Sequence, residues 1–206
     1  MGCPCPADLA EEIGGNGDYG GREGSRSRAF LAITSAREQT DAGNSDSAHC
    51  LMSEMGERMF HKIDAKTYAS PQIDTAQIAQ AKALGIGMII NNRPENESDD
   101  QVPGPDIEAA ARAAGMGYVA IPVTHAGFSF SQVEAMEQAL AAAGDAPVLA
   151  YCRSGTRSTL LWALTQAHMG MNPAAIAAAA ESAGYDISPI RTQVDMLAAR
   201  AQTPKA

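Results

Sequence analysis

Three short apolar runs, each preceded by a helix-forming segment, restrict the folding of this chain more than any other feature. The runs are Gly87-Met-Ile-Ile-Asn91, Tyr118-Val-Ala-Ile-Pro-Val123 and Pro147-Val-Leu-Ala-Tyr151. Asp74 to Leu84 precedes the first, with Asp74 as a cap and Gly85 as a stop. Asp106 to Ala114, stopped by Gly115, precedes the second. Before the third comes a helix opened by the capping box Ser131-Gln-Val-Glu134 and continuing to Ala143. Three more helices are predicted after the last run. They extend from Ser158 to Met169, from Pro173 to Ala183 behind the cap Asn172, and from Pro189 to about Ala201 behind Ser188. Strands alternating with helices predict an α/β fold, with a mostly parallel sheet covered by helices on both faces. Ligands of such sheets bind beyond the carboxyl ends of the strands. Three segments are predicted to gather there: Asn91-Asn92-Arg93, Thr124-His125, and the loop beginning at Cys152.

That loop reads Cys152-Arg153-Ser154-Gly155-Thr156-Arg157-Ser158 and joins an apolar strand to a helix. A turn of this kind aims backbone N–H groups inward, and the helix dipole adds partial positive charge. Arg157 brings a planar fork of donors suited to an oxyanion, and Arg153 adds a second charge. A thiol in such a field ionises below its free value of about 8.5 and becomes a nucleophile. Ser154, Gly155 and Thr156 complete the expected anion cradle. A buried cysteine that only packs needs neither the glycine three residues on nor the arginine five residues on.

The 206 residues carry a net charge of −9 and a pI near 4.8, which argues against nucleic acid or an anionic membrane surface as partner. No apolar run approaches the roughly 18 residues of a membrane-spanning helix. The first thirty residues lack the charged-then-apolar pattern of an export signal, so a cytoplasmic location is expected. Residues 1–55 are rich in Gly, Ser, Asp, Glu and Arg and have no sustained period. They read as a disordered tail or as the product of a misassigned start, with Met52, Met55 and Met59 as alternatives. Within them, Arg28 to Thr34 is the one stretch with strand or helical-turn character. Residues 56–206 form the expected catalytic domain. Cys3, Cys5 and Cys50 lie in the tail and make no disulfide framework or metal site with Cys152. Neither a metal nor an organic cofactor is expected, and the sequence does not indicate an oligomeric state.

The order Leu84-Gly-Ile-Gly-Met-Ile-Ile-Asn-Asn, then Ala114-Gly-Met-Gly-Tyr-Val-Ala-Ile-Pro-Val, then Ala146-Pro-Val-Leu-Ala-Tyr-Cys resembles the dual-specificity branch of the protein tyrosine phosphatases. The loop itself is similar to that of the rhodanese sulfurtransferases. With Asn91-Asn92-Arg93-Pro94-Glu95, residues 59–198 resemble the phosphatase-like domain of bacterial beta-lactamase hydrolase-like proteins. The resemblance implies a protein-tyrosine-phosphatase-like fold and a small anionic substrate, either a phosphate ester or a sulfane sulfur donor. It also implies a hydrolase working through a phosphocysteine on Cys152, with sulfur transfer through a persulfide on Cys152 as the alternative.

The chain departs from the phosphatase pattern in two places. Those phosphatases place five residues between cysteine and arginine, whereas here only Arg153 to Thr156 intervene. A shorter loop narrows the ring of N–H donors and suits a single sulfur better than a phosphoryl group. Where those phosphatases carry an aspartate as general acid, this chain has Val123-Thr124-His125, so His125 is the candidate proton donor. The resemblance gives Ser158 the task of stabilising the departing thiolate, while local pattern alone reads it as a helix cap. Asn92 is expected to fix loop geometry and Arg93 to meet the anion, although Asn-Asn-Arg-Pro is equally turn chemistry. Glu95 to Asp100 reads as a solvated acidic loop. His61 and His49 have no convergent partners in the sequence, and His168, within a helix, reads as a surface or packing residue.

Overall fold

The computed structural model describes residues 59–203. The readings for the tail, including Cys3, Cys5, Cys50, Met52 and Met55, lie outside these residues. Within them the order is β1 (His61–Lys62), β2 (Thr67–Ser70), α1 (Thr75–Ala83), β3 (Met88–Asn91), α2 (Gly104–Ala113) and β4 (Gly117–Ala120). Next come α3 (Phe130–Ala143), β5 (Val148–Tyr151), α4 (Thr156–His168), α5 (Pro173–Ser182), a 3-10 turn (Ser188–Ile190) and α6 (Arg191–Ala201). The sheet has five strands in the order β1-β2-β5-β3-β4. β2, β5, β3 and β4 run parallel, and β1 is an antiparallel edge. This is the mostly parallel α/β sheet that the strand–helix alternation predicts.

β5 lies between β2 and β3, with all four residues buried. Its side chains alternate between two cores, as the two-residue strand period requires. Val148 and Ala150 join Ile90, Val133, Met136, Leu161, Trp162, Ile176 and Val194 on one face. Leu149 and Tyr151 join Ile89, Ile78, Ile107 and Phe60 on the other. A strand buried on both faces must be apolar throughout, which is why Val-Leu-Ala-Tyr lacks a polar alternate. α4 is the central helix of the first core. Every residue from Ser158 to Thr165 is buried, and a helix buried on all sides belongs inside the fold rather than on it. The one polar nitrogen of Trp162 donates to Asp64 Oδ2 at 3.0 Å, so the indole is buried without an orphaned donor.

Several predicted boundaries shift, each for a local reason. The capping box of α3 is Ser129 with Gln132, not Ser131 with Glu134. Both frames fit the same motif, but Gln132 in the first frame also donates to the Pro122 carbonyl at 2.6 Å, and that tertiary bond selects it. β4 ends at Ala120, short of Val123. The chain nevertheless keeps following β3, with Ile121 and Val123 N–H groups donating to the Asn91 and Asn92 carbonyls at 2.8 and 3.0 Å. Pro122 between them has no donor to extend the ladder. α2 begins at Gly104, two residues earlier than predicted, and the Glu95 carboxylate accepts from the Gly104 N–H at 3.1 Å in place of a local cap. Ser188 opens a 3-10 turn, so the last α-helix starts at Arg191. Asp74 and Asn172 cap α1 and α5 as predicted.

Candidate active site

Cys152 follows β5 directly, and its N–H donates to the Ser70 carbonyl at 3.3 Å. Pro71 forms a bridge with Ser154, and the Gln72 N–H donates to the Arg153 carbonyl at 3.4 Å. The β2–α1 connection therefore braces the first half of the loop. Gly155 turns the chain into α4 with φ +85° and is the residue that caps it. Only glycine adopts this conformation freely, and the turn aims the Gly155 N–H at Cys152 Sγ, 3.1 Å away. Cys152 itself is fully buried.

Ser158 is not the cap of α4. It stands in the first turn, completely buried, and its Oγ has no protein partner among the described residues. Arg153, Ser154 and Thr156 are exposed at the mouth of the loop, with Ser154 Oγ and Thr156 Oγ1 bonded to each other at 3.1 Å.

Arg157 is held from two sides. Nη1 donates to the Val123 carbonyl at 2.7 Å, and Nη2 lies 2.7 Å from Glu97 Oε1 and 2.9 Å from Oε2. Glu97 also accepts from Arg93 Nε at 2.8 Å. Its carboxyl is held below the ordinary carboxylate range, first by the Arg157 hydrogen bond and further by Arg93, against an opposing effect of burial. The acidic loop is therefore not simply solvated, because the Glu97 side chain is only 12% exposed and anchors the loop arginine.

The same network engages Arg93. Its side chain is 3% exposed, and its three nitrogens donate to Glu97, to Gln72 Oε1 at 2.8 Å and to Ser98 Oγ. With one N–H of each nitrogen committed to a protein acceptor, Arg93 supports Glu97. Asn92 is fully buried, and its side-chain amide donates to the Ile121 carbonyl at 3.0 Å, so it ties β3 to the chain leaving β4. Asn91 Oδ1 accepts from the Arg93 N–H at 2.9 Å. His125 is exposed, two residues beyond the carbonyl that holds Arg157.

Two residues that the sequence reading did not assign to the site contact its loop. Glu97 is one. Tyr185, between α5 and α6, is the other, with its ring packed against Gly155. Neither lies in a motif: Glu97 reaches Arg157 sixty residues further on as well as Arg93 at i,i+4 spacing, and Tyr185 packs against a residue of a distant loop. Among the described residues, no group of three or more His, Cys, Asp or Glu side chains converges on a metal-sized space, and no helix is long and apolar enough to cross a membrane.

Comparison with known proteins places this geometry in context. A beta-lactamase hydrolase-like protein of Xylella fastidiosa strain 9a5c is 33% identical over 145 residues, covering 69% of this chain and 33% of that protein. The chain thus spans about a third of the length of that relative. A crystal structure of a candidate phosphatase from Neisseria meningitidis Z2491 shares 37% identity and a TM-score of 0.58, covering 66% of this chain and 96% of that one. Kinase-associated phosphatase, crystallised with its catalytic-site cysteine changed to serine, shares the fold with a TM-score of 0.54 at 13% identity, over 68% of this chain and 88% of that one. Residues 60–169 match the family described as beta-lactamase hydrolase-like protein, phosphatase-like domain. The match runs from β1 through the cysteine loop to the end of α4, and the chain belongs to that family.

Proposed function

We propose that this chain is a cysteine-dependent, phosphatase-like hydrolase that acts on a phosphomonoester through a phosphocysteine on Cys152. The observation that carries the reading is the loop at the carboxyl end of β5. There the Gly155 N–H points at Cys152 Sγ, and Arg157 is fixed in place by Glu97 and the Val123 carbonyl. A phosphoryl group needs an in-line nucleophile and prearranged donors for its oxygens, and these groups supply both.

In the first step the Cys152 thiolate attacks phosphorus. The S–P bond forms, the ester P–O bond breaks, and the leaving oxygen takes a proton from the His125 imidazolium. In the second step water attacks phosphorus and passes its proton to the neutral imidazole. The S–P bond breaks, and inorganic phosphate and the thiolate are released, with the Ser158 hydroxyl donating to the departing sulfur. Arg153, Ser154 and Thr156 line the mouth through which a small anionic ester enters.

A second reading is sulfur transfer, and a specific observation favours it. Only four residues separate Cys152 from Arg157, and two guanidinium nitrogens are already engaged. In that chemistry the thiolate attacks the outer sulfur of thiosulfate. An S–S bond forms, sulfite leaves, and the persulfide passes its outer sulfur to a thiol or cyanide. The test is a parallel assay with p-nitrophenyl phosphate and with thiosulfate, with Cys152 followed by mass spectrometry. Phosphate release with a phosphorylated Cys152 supports the first reading. A Cys152 that gains one sulfur atom, with no phosphate released from any ester, replaces it with the second.

A further inference from the structure

Two N–H groups of the short loop are directed at groups within the loop itself. The Gly155 N–H reaches Cys152 Sγ, whereas the Thr156 N–H is turned toward Ser154 Oγ at 3.5 Å. Arg157 spends Nη1 on Val123 and Nη2 on Glu97. A bound oxyanion has lone pairs for further donors beside these groups.

Tyr185 comes to this loop from the other side of the chain. A methyl group placed on Gly155 would collide with the Tyr185 hydroxyl and stand 2.8 Å from Cζ and 3.1 Å from Cε1. The phenol therefore occupies the space a side chain at position 155 would take, which is a second reason for glycine there. The ring is half-buried and is braced by His61 of β1, whose ring meets it edge-on with centroids 5.5 Å apart at 69°. Burial, and after it the negative charge on Cys152, push the Tyr185 phenol up to about 12. The hydroxyl thus lies within electrostatic reach of the cysteine sulfur and keeps its proton through the neutral range. Such a group is a fixed donor rather than a proton-transfer acid. Tyr185 also lies beyond residues 60–169, the stretch matched by the family.

We infer that the Tyr185 hydroxyl is a hydrogen-bond donor of the anion cradle, touching the oxyanion bound above Cys152. This assignment rests on the reading that the Cys152–Arg157 loop binds an oxyanion.

The experiment is a calorimetric titration of inorganic phosphate into the full-length Cys152→Ser protein and into the full-length Cys152→Ser/Tyr185→Phe protein. Phenylalanine keeps the ring against Gly155, so only the hydroxyl is removed. A lost hydrogen bond to a charged group corresponds to a rise in Kd of roughly tenfold or more. Alongside it, Tyr185→Phe should lower kcat/KM for p-nitrophenyl phosphate by a similar factor and leave the pH–rate profile unshifted. The thermal unfolding temperature should be unchanged. Equal Kd values in the two proteins overturn the role of Tyr185, even if the unfolding temperature falls. No phosphate binding by Cys152→Ser at all overturns the oxyanion reading of the loop, and the assignment with it.

Discussion

Glu97→Gln is the sharpest test of how the site is held together. The substitution keeps the shape of the side chain and removes the charge between two arginines. In the native protein the carboxylate accepts from Arg157 Nη2 at 2.7 Å and from Arg93 Nε at 2.8 Å. The side chains of Glu97, Arg157 and Arg93 are 12%, 19% and 3% exposed. A hydrogen bond to a charged group at such a site contributes about 1.5–3 kcal/mol, and stranding a deeply buried charge costs about 3–5 kcal/mol. Glutamine keeps one acceptor oxygen but turns an NH₂ toward a guanidinium, so one of the two arginine contacts is lost. The expected loss of stability is about 2 kcal/mol, measured by urea denaturation. Arg157 would keep only the Val123 carbonyl, and its orientation would loosen. A loss of about 2 kcal/mol in transition-state stabilisation is roughly thirtyfold in kcat/KM with p-nitrophenyl phosphate.

Acid pH supplies an independent check. Because the Glu97 carboxyl is held below its ordinary value of 4.5, its contribution is complete above that value. The contribution is lost as pH falls through the lowered value. The stability gap between native protein and variant should therefore be full at pH 7 and should narrow below pH 4.5. Equal denaturation midpoints at pH 7, or a gap that widens in acid, would refute the argument.

Three further outcomes are expected. Arg157→Lys should lower kcat/KM by about two decades, because one ammonium cannot hold Val123 and Glu97 in a planar fork while meeting an oxyanion; near-native rates would show that the fork is unused. His125→Ala should depress turnover of aryl phosphates with high leaving-group pKa about a hundredfold and spare those with low pKa; equal losses across the series would remove His125 as the proton donor. Gly155→Ala should destabilise the protein by about 1–3 kcal/mol, through its φ of +85° and the collision with Tyr185; a denaturation midpoint within error of the native one would contradict both contacts.

The local grammar of this chain was legible without coordinates. Apolar runs bounded by glycine and proline mark β3 and β5, and Asp74 and Asn172 announce the helices they cap. Cys152-Arg-Ser-Gly-Thr-Arg157 declares a strand–loop–helix cradle. These features depend on neighbours within a few residues, so the pattern contains its own cause. Where two local solutions were equally good, distant contacts chose between them. Ser129 caps α3 because Gln132 reaches Pro122, and β4 stops early because Pro122 has no N–H to give.

The electrostatics of the site belonged wholly to the tertiary structure. In the sequence, Glu97 is one of several acidic residues in a polar stretch, and Arg93 is a cation after a strand. Folding places Glu97 against an arginine sixty positions further on, turns Arg93 inward to support it, and brings Tyr185 over Gly155. Arg93 and Glu97 stand at i,i+4 spacing, but no periodicity or motif encodes the contacts of Glu97 with Arg157 or of Tyr185 with Gly155, because partners tens of residues apart leave no trace along the chain until the backbone has closed around them. The sequence alone thus marked three of the five strands and the loop that opens with Cys152, whereas the placement of β1 and β2 and the charged groups that hold that loop in shape were decided by packing.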